Sequence, residues 1–159
     1  MSAAASGTRL LRLWQRLAPL PGGAWLFSRM LDWTVPYSGT LGARVVSLEP
    51  GHARLLIRER RGLRNHLHSI HALALANLGE LTSGLATTVA LPAGVRGIVT
   101  ALTVEYLKKA RGTISAECTC SPPGVIAAID FEVHTVLTDR VGDTVARVTV
   151  RWRLAPERG

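Results

Sequence analysis

One long apolar segment constrains the fold of this chain more than any other feature. Between Asn65 and Val95 the only formally charged side chain is Glu80, and most of its neighbours are Leu, Ala, Gly, Ser and Thr. The segment predicts a helix that begins at Ser69 as its N-cap and ends before Pro92 and Gly94. Apolar residues recur there at helical spacing, at Ala74, Leu78, Leu81, Leu85 and Val89.

The lone carboxylate marks the candidate site. Glu80 lies on a neighbouring stripe of mostly small and polar residues, and an unpaired carboxylate in apolar surroundings costs free energy. Either the reaction uses it or it pairs with a buried arginine or the backbone. On an ideal helix His71 and Glu80 lie half a revolution and about 13 Å apart. If both serve one centre, a second copy of the chain must supply one of them, which predicts a dimer.

Length and charge limit the remaining possibilities. The chain has 159 residues, of which 47% are hydrophobic, so one globular domain is expected. A formal charge of +8 predicts an anionic partner. Aromatic residues are not interleaved with the basic clusters, which disfavours single-stranded nucleic acid as that partner. These clusters are Arg58, Arg60, Arg61 and Arg64, and Lys108, Lys109 and Arg111.

Cysteines and hydropathy indicate the compartment. Cys118 and Cys120 are too close in sequence for an unstrained disulfide, which fits a reducing, cytoplasmic location. The segment 65–95 is long enough to span a bilayer, but its polar residues make it a poor membrane span. Near the N-terminus, arginines at positions 9, 12 and 16 interrupt the leucines, so a signal peptide is not expected.

The rest of the chain predicts an α+β domain. Residues 1–37 form an amphipathic helical extension, broken between Pro19 and Gly23, for which packing on the domain is favoured over a membrane or lid role. Residues 42–49 and 52–60 predict a hairpin that turns at Pro50-Gly51. Alternating residues predict four more strands, at 98–107, 113–120, 125–138 and 146–154. Residues 38–159 are therefore expected to form a six-stranded antiparallel sheet that wraps around the central helix.

This architecture and one spaced motif resemble a known family. The motif Asn–x5–His–x8–Glu, at Asn65, His71 and Glu80, leads into and along the predicted helix. Roughly residues 38–155 resemble the hotdog-fold acyl-CoA thioesterases of the PaaI-like, phenylacetate-pathway type. The stretch VTALTVEYLKKARG at 99–112 is similar to a strand of that family that ends in a basic turn.

The resemblance implies hydrolysis of an acyl-CoA thioester at the interface of a homodimer or homotetramer. Glu80 would be general base or nucleophile, Asn65 would orient the water or acyl group, and His71 would belong to the same catalytic set. Backbone N–H groups of Ala72 and Leu73 would polarise the carbonyl. No metal and no cofactor beyond the substrate's own coenzyme A is implied. The expected substrate-binding residues are His68, Asn77, Thr100, Arg64, Lys108, Lys109 and Arg111.

Departures from the family pattern keep other hypotheses open. His68 stands where the family has a glycine, and Ala72-Leu73 stand where it has a glycine pair that admits the substrate carbonyl. A non-catalytic acyl-CoA or lipid-binding module is the main alternative. A basic protein of a nucleic-acid or membrane surface is the third, and peripheral membrane contact is ranked low. If Asn65 has no catalytic role, it is a turn residue. The histidines at 66, 68 and 71 do not have the spacing of a standard metal site.

Overall fold

A computed structural model describes residues 3–157, with side chains from Gly7 onward. The helices are α1 (Ala3–Leu17), α2 (Gly23–Thr34), α3 (Pro36–Gly39) and α4 (Ala72–Ala90), with a short 3₁₀ turn at Arg61–Leu63. The strands are β1 (Arg44–Glu49), β2 (His52–Arg58), β3 (Val95–Tyr106), β4 (Thr113–Thr119), β5 (Ile129–Thr138) and β6 (Thr144–Pro156). The order of elements matches the predicted extension, hairpin, central helix and four further strands.

The strands form one antiparallel sheet around α4. Its order is β1-β2-β4-β5-β6-β3, so β1 and β3 are its two edges. The predicted alternation is confirmed in β2, where Ala53, Leu55 and Ile57 are buried and Arg54 and Arg58 are exposed. In β6 the inward residues are likewise buried; they are Ala146, Val148, Val150, Trp152 and Leu154.

The prediction for the start of β5 is wrong. Residues 125–128 lie outside the strand, and Ile126 is 97% exposed. The strand starts at Ile129, which pairs with Leu154 of β6. In this register residues 125 and 126 would lie opposite positions beyond Pro156, where β6 ends, so no strand residue is there to pair with them. β3 differs less, beginning three residues before the predicted position 98.

The N-cap of α4 is His71 and not Ser69 as predicted. His71 has extended backbone (φ −62°, ψ 141°), and its Nδ1 accepts a hydrogen bond of 3.1 Å from the Leu73 N–H. Ser69 lies two residues before the cap, because the N–H groups of Ile70 and His71 donate to the carbonyls of Ala110 and Leu63 and keep the chain outside the helix up to His71. Composition suggested the serine, but these contacts with other segments decided between the two residues.

The N-terminal helices share the core of the sheet domain. Trp14 of α1 and Phe27 of α2 are buried and contact edge to face, with ring centroids 5.1 Å apart. The Ser28 hydroxyl accepts a hydrogen bond of 3.0 Å from the Val45 N–H at the β1 edge. The expectation that the extension packs on the domain agrees with these contacts, and a boundary at residue 37 stays a prediction. No helix within residues 3–157 has the length and apolar character to cross a bilayer.

Two glycines of α4 provide a test of the packing. A Cβ on Gly79 would lie 2.6 Å from Cβ of Val148, whereas one on Gly84 would lie 3.6 Å from the nearest atom of the Trp152 ring. We expect Gly79→Ala to lower the free energy of unfolding by about 1–3 kcal/mol through overpacking. Gly84→Ala should raise it by about 0.5–1 kcal/mol because alanine favours the helix. Denaturant titration measures both, and equal effects would contradict the close approach at Gly79.

Candidate functional site

Glu80 lies in a surface cleft between α4, α3 and the β3 edge. The volume of this Glu80 cleft is about 220 Å³. The Asn77 side chain, one helical turn before Glu80, accepts a hydrogen bond of 2.8 Å from the Ser38 hydroxyl. This bond joins α3 to α4 and fixes one wall of the cleft. The lining residues are Tyr37, Ser38, Leu73, Ala76, Asn77, Glu80 and Leu102.

The Glu80 carboxyl is chemically available. Within the described part of the chain its carboxylate makes no ion pair and accepts no hydrogen bond, so the alternative of a buried arginine partner is not found in one copy. Burial raises its pKa above the ordinary value because desolvation disfavours the charged form. A half-buried carboxyl with a raised pKa is suited to accept a proton.

Asn65 lies in a different cleft, on another side of the start of α4. Its Oδ1 accepts hydrogen bonds from the Leu67 N–H (2.9 Å), the Ser69 N–H (3.2 Å) and the Ser69 hydroxyl (3.2 Å). These bonds leave the Nδ2 amide group as its donor for another molecule. This Asn65 cleft has a volume of about 340 Å³; its lining includes Asn65, Leu67, Ser69, Ala72, Leu75, Tyr106, Lys108 and Lys109.

His71 lies in a third cleft, of about 180 Å³, that shares Tyr37, Leu73 and Asn77 with the Glu80 cleft. Because its Nδ1 accepts the Leu73 N–H, the proton of the neutral ring is on Nε2. The Leu73 N–H, one of the two backbone groups predicted to polarise the substrate carbonyl, is thus already bonded to the His71 ring in the helix cap. The Ala72 N–H donates no hydrogen bond within residues 3–157.

The other predicted residues do not converge on Glu80. His68 has a left-handed backbone (φ 52°), the region that favours glycine, at the position where the family has one. The Thr100 hydroxyl donates to the Arg151 carbonyl beside the irregular register of β3. Arg64 is paired with Glu59, and Lys108 with Asp139 and Asp143. Lys109 and Arg111 are exposed and make no ion pair in the described chain.

Several residues of this region were not predicted as site residues. Tyr106 lines the Asn65 cleft, and its hydroxyl donates 3.0 Å to the Ala72 carbonyl at the start of α4. Tyr37 and Ser38 approach Glu80 from α3, whose place in the fold the sequence did not indicate. The indole N–H of Trp152, packed beside Gly84 one turn beyond Glu80, is buried without a partner in the described structure. Only Tyr106 had a sequence signal, as an aromatic residue within the family-like strand.

The raised pKa of Glu80 predicts a pH-dependent stability. The unfolded carboxyl ionises near its ordinary value of about 4.3, before the folded one does, so the native state loses stability as pH rises from there through the folded pKa. Glu80→Gln lacks this titration. Its free energy of unfolding relative to the parent should therefore rise with pH and then level off. Exposed Glu105→Gln is the control, and a constant difference between Glu80→Gln and the parent would contradict the raised pKa.

Comparisons with known proteins place the chain in a family. Residues 23–154 match a family model described as a domain of unknown function, DUF4442. No curated protein matches the chain. A structural-genomics protein, APC5556, is 30% identical with a TM-score of 0.80, over 94% of this chain and 98% of its own.

Two further structures carry informative names. The Pseudomonas aeruginosa protein PA5026, called a probable thioesterase, is 25% identical with a TM-score of 0.75, over 87% of this chain and 97% of its own. The protein smu.793 of Streptococcus mutans UA159, bound to acetyl-CoA, is 21% identical with a TM-score of 0.62, over 72% of this chain and 90% of its own. This last likeness concerns the fold. The chain thus belongs to the DUF4442 family, and its six-stranded antiparallel sheet around a central helix is the hotdog fold of its thioesterase-like neighbours.

Proposed function

We propose that this protein hydrolyses an acyl-CoA thioester at a site that two copies of the chain complete. The observation that carries the proposal is the unpaired, half-buried carboxyl of Glu80 in a cleft of the central helix. The name of PA5026 and the acetyl-CoA bound by smu.793 are in keeping with this activity on this fold. Expected products are a free acid and coenzyme A.

The geometry of one chain leaves the site incomplete. Glu80 and Asn65 lie in separate clefts, and edge strand β3 borders both, through Leu102 at the first and Tyr106 at the second. If two copies paired antiparallel through β3 about a two-fold axis near Val104, Leu102 of one copy would lie opposite Tyr106 of the other. The Asn65 cleft of one copy would then face the Glu80 cleft of the second.

The inner face of β3 supports this pairing. Leu102 and Tyr106 are register partners of buried Val150 and Ala146, so they point to the same face of the sheet as the core. They are nevertheless 43% and 49% exposed in one chain. An inward-facing apolar surface beside a free strand edge is typical of a contact between copies.

The chemistry follows from these groups. Ionised Glu80 takes a proton from water, and the oxygen of that water adds to the thioester carbonyl carbon. The negative charge that develops on the carbonyl oxygen is stabilised by the free Ala72 N–H. The Nε2–H of His71 is the second donor. The C–S bond then breaks, and the thiolate of coenzyme A takes the proton from Glu80. The Nδ2 group of Asn65 is left to orient the water or the acyl carbonyl.

Coenzyme A phosphates would bind at the rim of the Asn65 cleft. Lys108 and Lys109 line this cleft, and neither Lys109 nor Arg111, two residues further on, makes an ion pair within the described chain. The Arg111 charge acts on Glu59 only at longer range. Lys108 is held by two aspartates, which raise its pKa through hydrogen bonds and leave it a weaker partner for phosphate. Arg64 is similarly held by Glu59. We assign the main phosphate contacts to Lys109 and Arg111.

A non-catalytic acyl-CoA-binding module is the second candidate. The Leu73 side chain is 64% exposed in the Glu80 cleft, and its N–H is occupied by His71. Both features reduce the access of a carbonyl to the helix start. Binding of acyl-CoA without release of thiol would favour this candidate over the enzyme.

The first test of the proposal is the charge of Glu80. Glu80→Gln should reduce kcat at least about 10²-fold with little change in acyl-CoA binding, since the amide keeps the shape but cannot act as base. The kcat of the parent should rise with pH as Glu80 ionises. Free thiol release and binding are measured side by side on a panel of acyl-CoA esters, with Glu49→Gln, at an exposed position on the opposite sheet edge, as the control. Full turnover by Glu80→Gln would contradict the proposed base.

The second test is the assembly. We expect sedimentation to show at least a dimer at micromolar concentration, and Leu102→Asp to produce monomers without turnover, because it places a charge in an apolar contact. Val136→Asp, at an exposed position of β5, is the matched control and should leave the assembly intact. A monomeric parent with full activity would contradict the shared site.

A further inference from the structure

Helix α2 has an exposed face that is almost entirely apolar. Trp25 is 61% exposed, Leu26 44%, Met30 40% and Trp33 78%. At 100° per residue these four side chains fall within an arc of about 140° that excludes buried Phe27, and Arg29, which pairs with Asp32, lies within the same arc. An apolar helix face of this kind, with two tryptophans, is unusual on the surface of a globular domain and indicates a contact.

A basic cleft adjoins this face. Trp25 borders a cleft of about 390 Å³ on the outer side of β1 and β2, together with three arginines, Arg44, Arg58 and Arg60. The strand register places Arg44 and Arg58 on this outer side of the sheet. Arg44 is paired across the hairpin with Leu56, and Arg58 is paired with Thr113 of β4. We define Trp25, Leu26, Met30 and Trp33 with Arg44, Arg58 and Arg60 as the α2 patch.

The charges of the α2 patch are not neutralised. None of its three arginines makes an ion pair within residues 3–157. The Arg60 guanidinium donates a hydrogen bond to the Thr40 carbonyl. This bond fixes the position of the guanidinium, but a neutral carbonyl does not cancel its positive charge. Arg29, also on α2, differs because Asp32 pairs with it at 2.7 Å. The contact on this face must therefore supply negative charge next to apolar area.

We propose that the α2 patch docks the protein on the surface of an anionic phospholipid bilayer. Tryptophans favour the boundary between headgroups and acyl chains, and unpaired arginines beside them bind anionic headgroups. A second copy fits less well, since a two-fold contact here would bring both arginine clusters together. β1, which carries Arg44, is the opposite sheet edge from β3, so docking does not use the strand of the proposed dimer.

This inference revises the low rank that the sequence gave to membrane contact. The sequence favoured packing on the domain for the whole of residues 1–37, and α1 does pack inward through Trp14. The docking surface is instead on α2 and the outer side of the hairpin. It does not depend on whether the site of Glu80 hydrolyses thioesters.

The test measures binding of the full chain to vesicles of phosphatidylcholine with and without phosphatidylglycerol, by flotation. Binding should require the anionic lipid and weaken as salt rises. Arg44→Gln/Arg58→Gln/Arg60→Gln should reduce affinity roughly a hundredfold, from about fivefold per charge. The matched variant Arg140→Gln/Arg147→Gln/Arg153→Gln removes the same charge from other exposed positions and should bind nearly as the parent does.

A second variant tests the apolar half. Trp25→Ala/Trp33→Ala keeps every charge and should also lose vesicle binding, and in the parent the fluorescence of these two exposed tryptophans should shift to the blue on binding. Melting curves confirm that each variant is folded. No binding to anionic vesicles, or equal losses in the two arginine variants, would overturn the proposal. Release from vesicles by millimolar inorganic phosphate at constant ionic strength would also overturn it, because it would indicate an ion site. A change of sedimentation in the tryptophan variant would overturn it as well, because it would indicate a contact between copies.

Discussion

The close approach of α4 to the sheet at Gly79 is the contact on which the rest of the structure depends. There a side chain larger than hydrogen would meet Val148, and the buried Thr135 hydroxyl donates 3.1 Å to the Gly79 carbonyl. A glycine in a helix interior costs up to about 1 kcal/mol relative to alanine. Here that cost is offset by the packing of fully buried Leu78 against the sheet. The rotation of α4 is fixed in consequence, and Glu80, the next residue, is directed to the edge of the core.

Rotation of the helix also determines what one chain can do alone. The residues that face Glu80 come from α3 and from Leu102 of β3, whereas Asn65 is held by its own loop at another side of α4. Different residues of α4 line the two clefts, so Glu80 and Asn65 do not share a cleft in one chain. The exposed inner face of β3 gives the physical reason to expect a second copy. The function we propose thus depends on an assembly and not on a further motif.

The distribution of charge separates cations that serve the fold from those that remain available. Glu59 accepts hydrogen bonds from Arg64 and from the Gly112 N–H, which lower its pKa and tie the loop after β2 to the turn before β4. Lys108 is used in the same way by two aspartates. The net charge of +8 is therefore not a uniform surface property. The charge that remains available is on cations without an ion pair within the described residues, including Lys109 and Arg111 near the Asn65 cleft and the arginines of the α2 patch.

The sequence by itself determined the helix, the sheet and the isolation of Glu80. Periodicity is a local property, so buried faces of β2 and β6 and the apolar stripe of α4 could be predicted from residue spacing alone. The resemblance to hotdog thioesterases added the candidate roles of Asn65 and His71. The dimer stays a prediction: spacing on an ideal helix puts His71 and Glu80 on opposite sides, whereas His71 is the N-cap and its cleft adjoins the Glu80 cleft.

Tertiary structure decided what depends on contacts between distant segments. The N–H groups of Ile70 and His71 bond to the carbonyls of Ala110 and Leu63, so α4 begins only after His71, which is its N-cap. The Asn77 partner, Ser38, is 39 residues away in sequence, and the start of β5 is set by where β6 ends. Whether an arginine is paired or free depends on which acid the fold brings beside it. Spacing along a chain cannot show these facts, since each requires the position of a second segment in space.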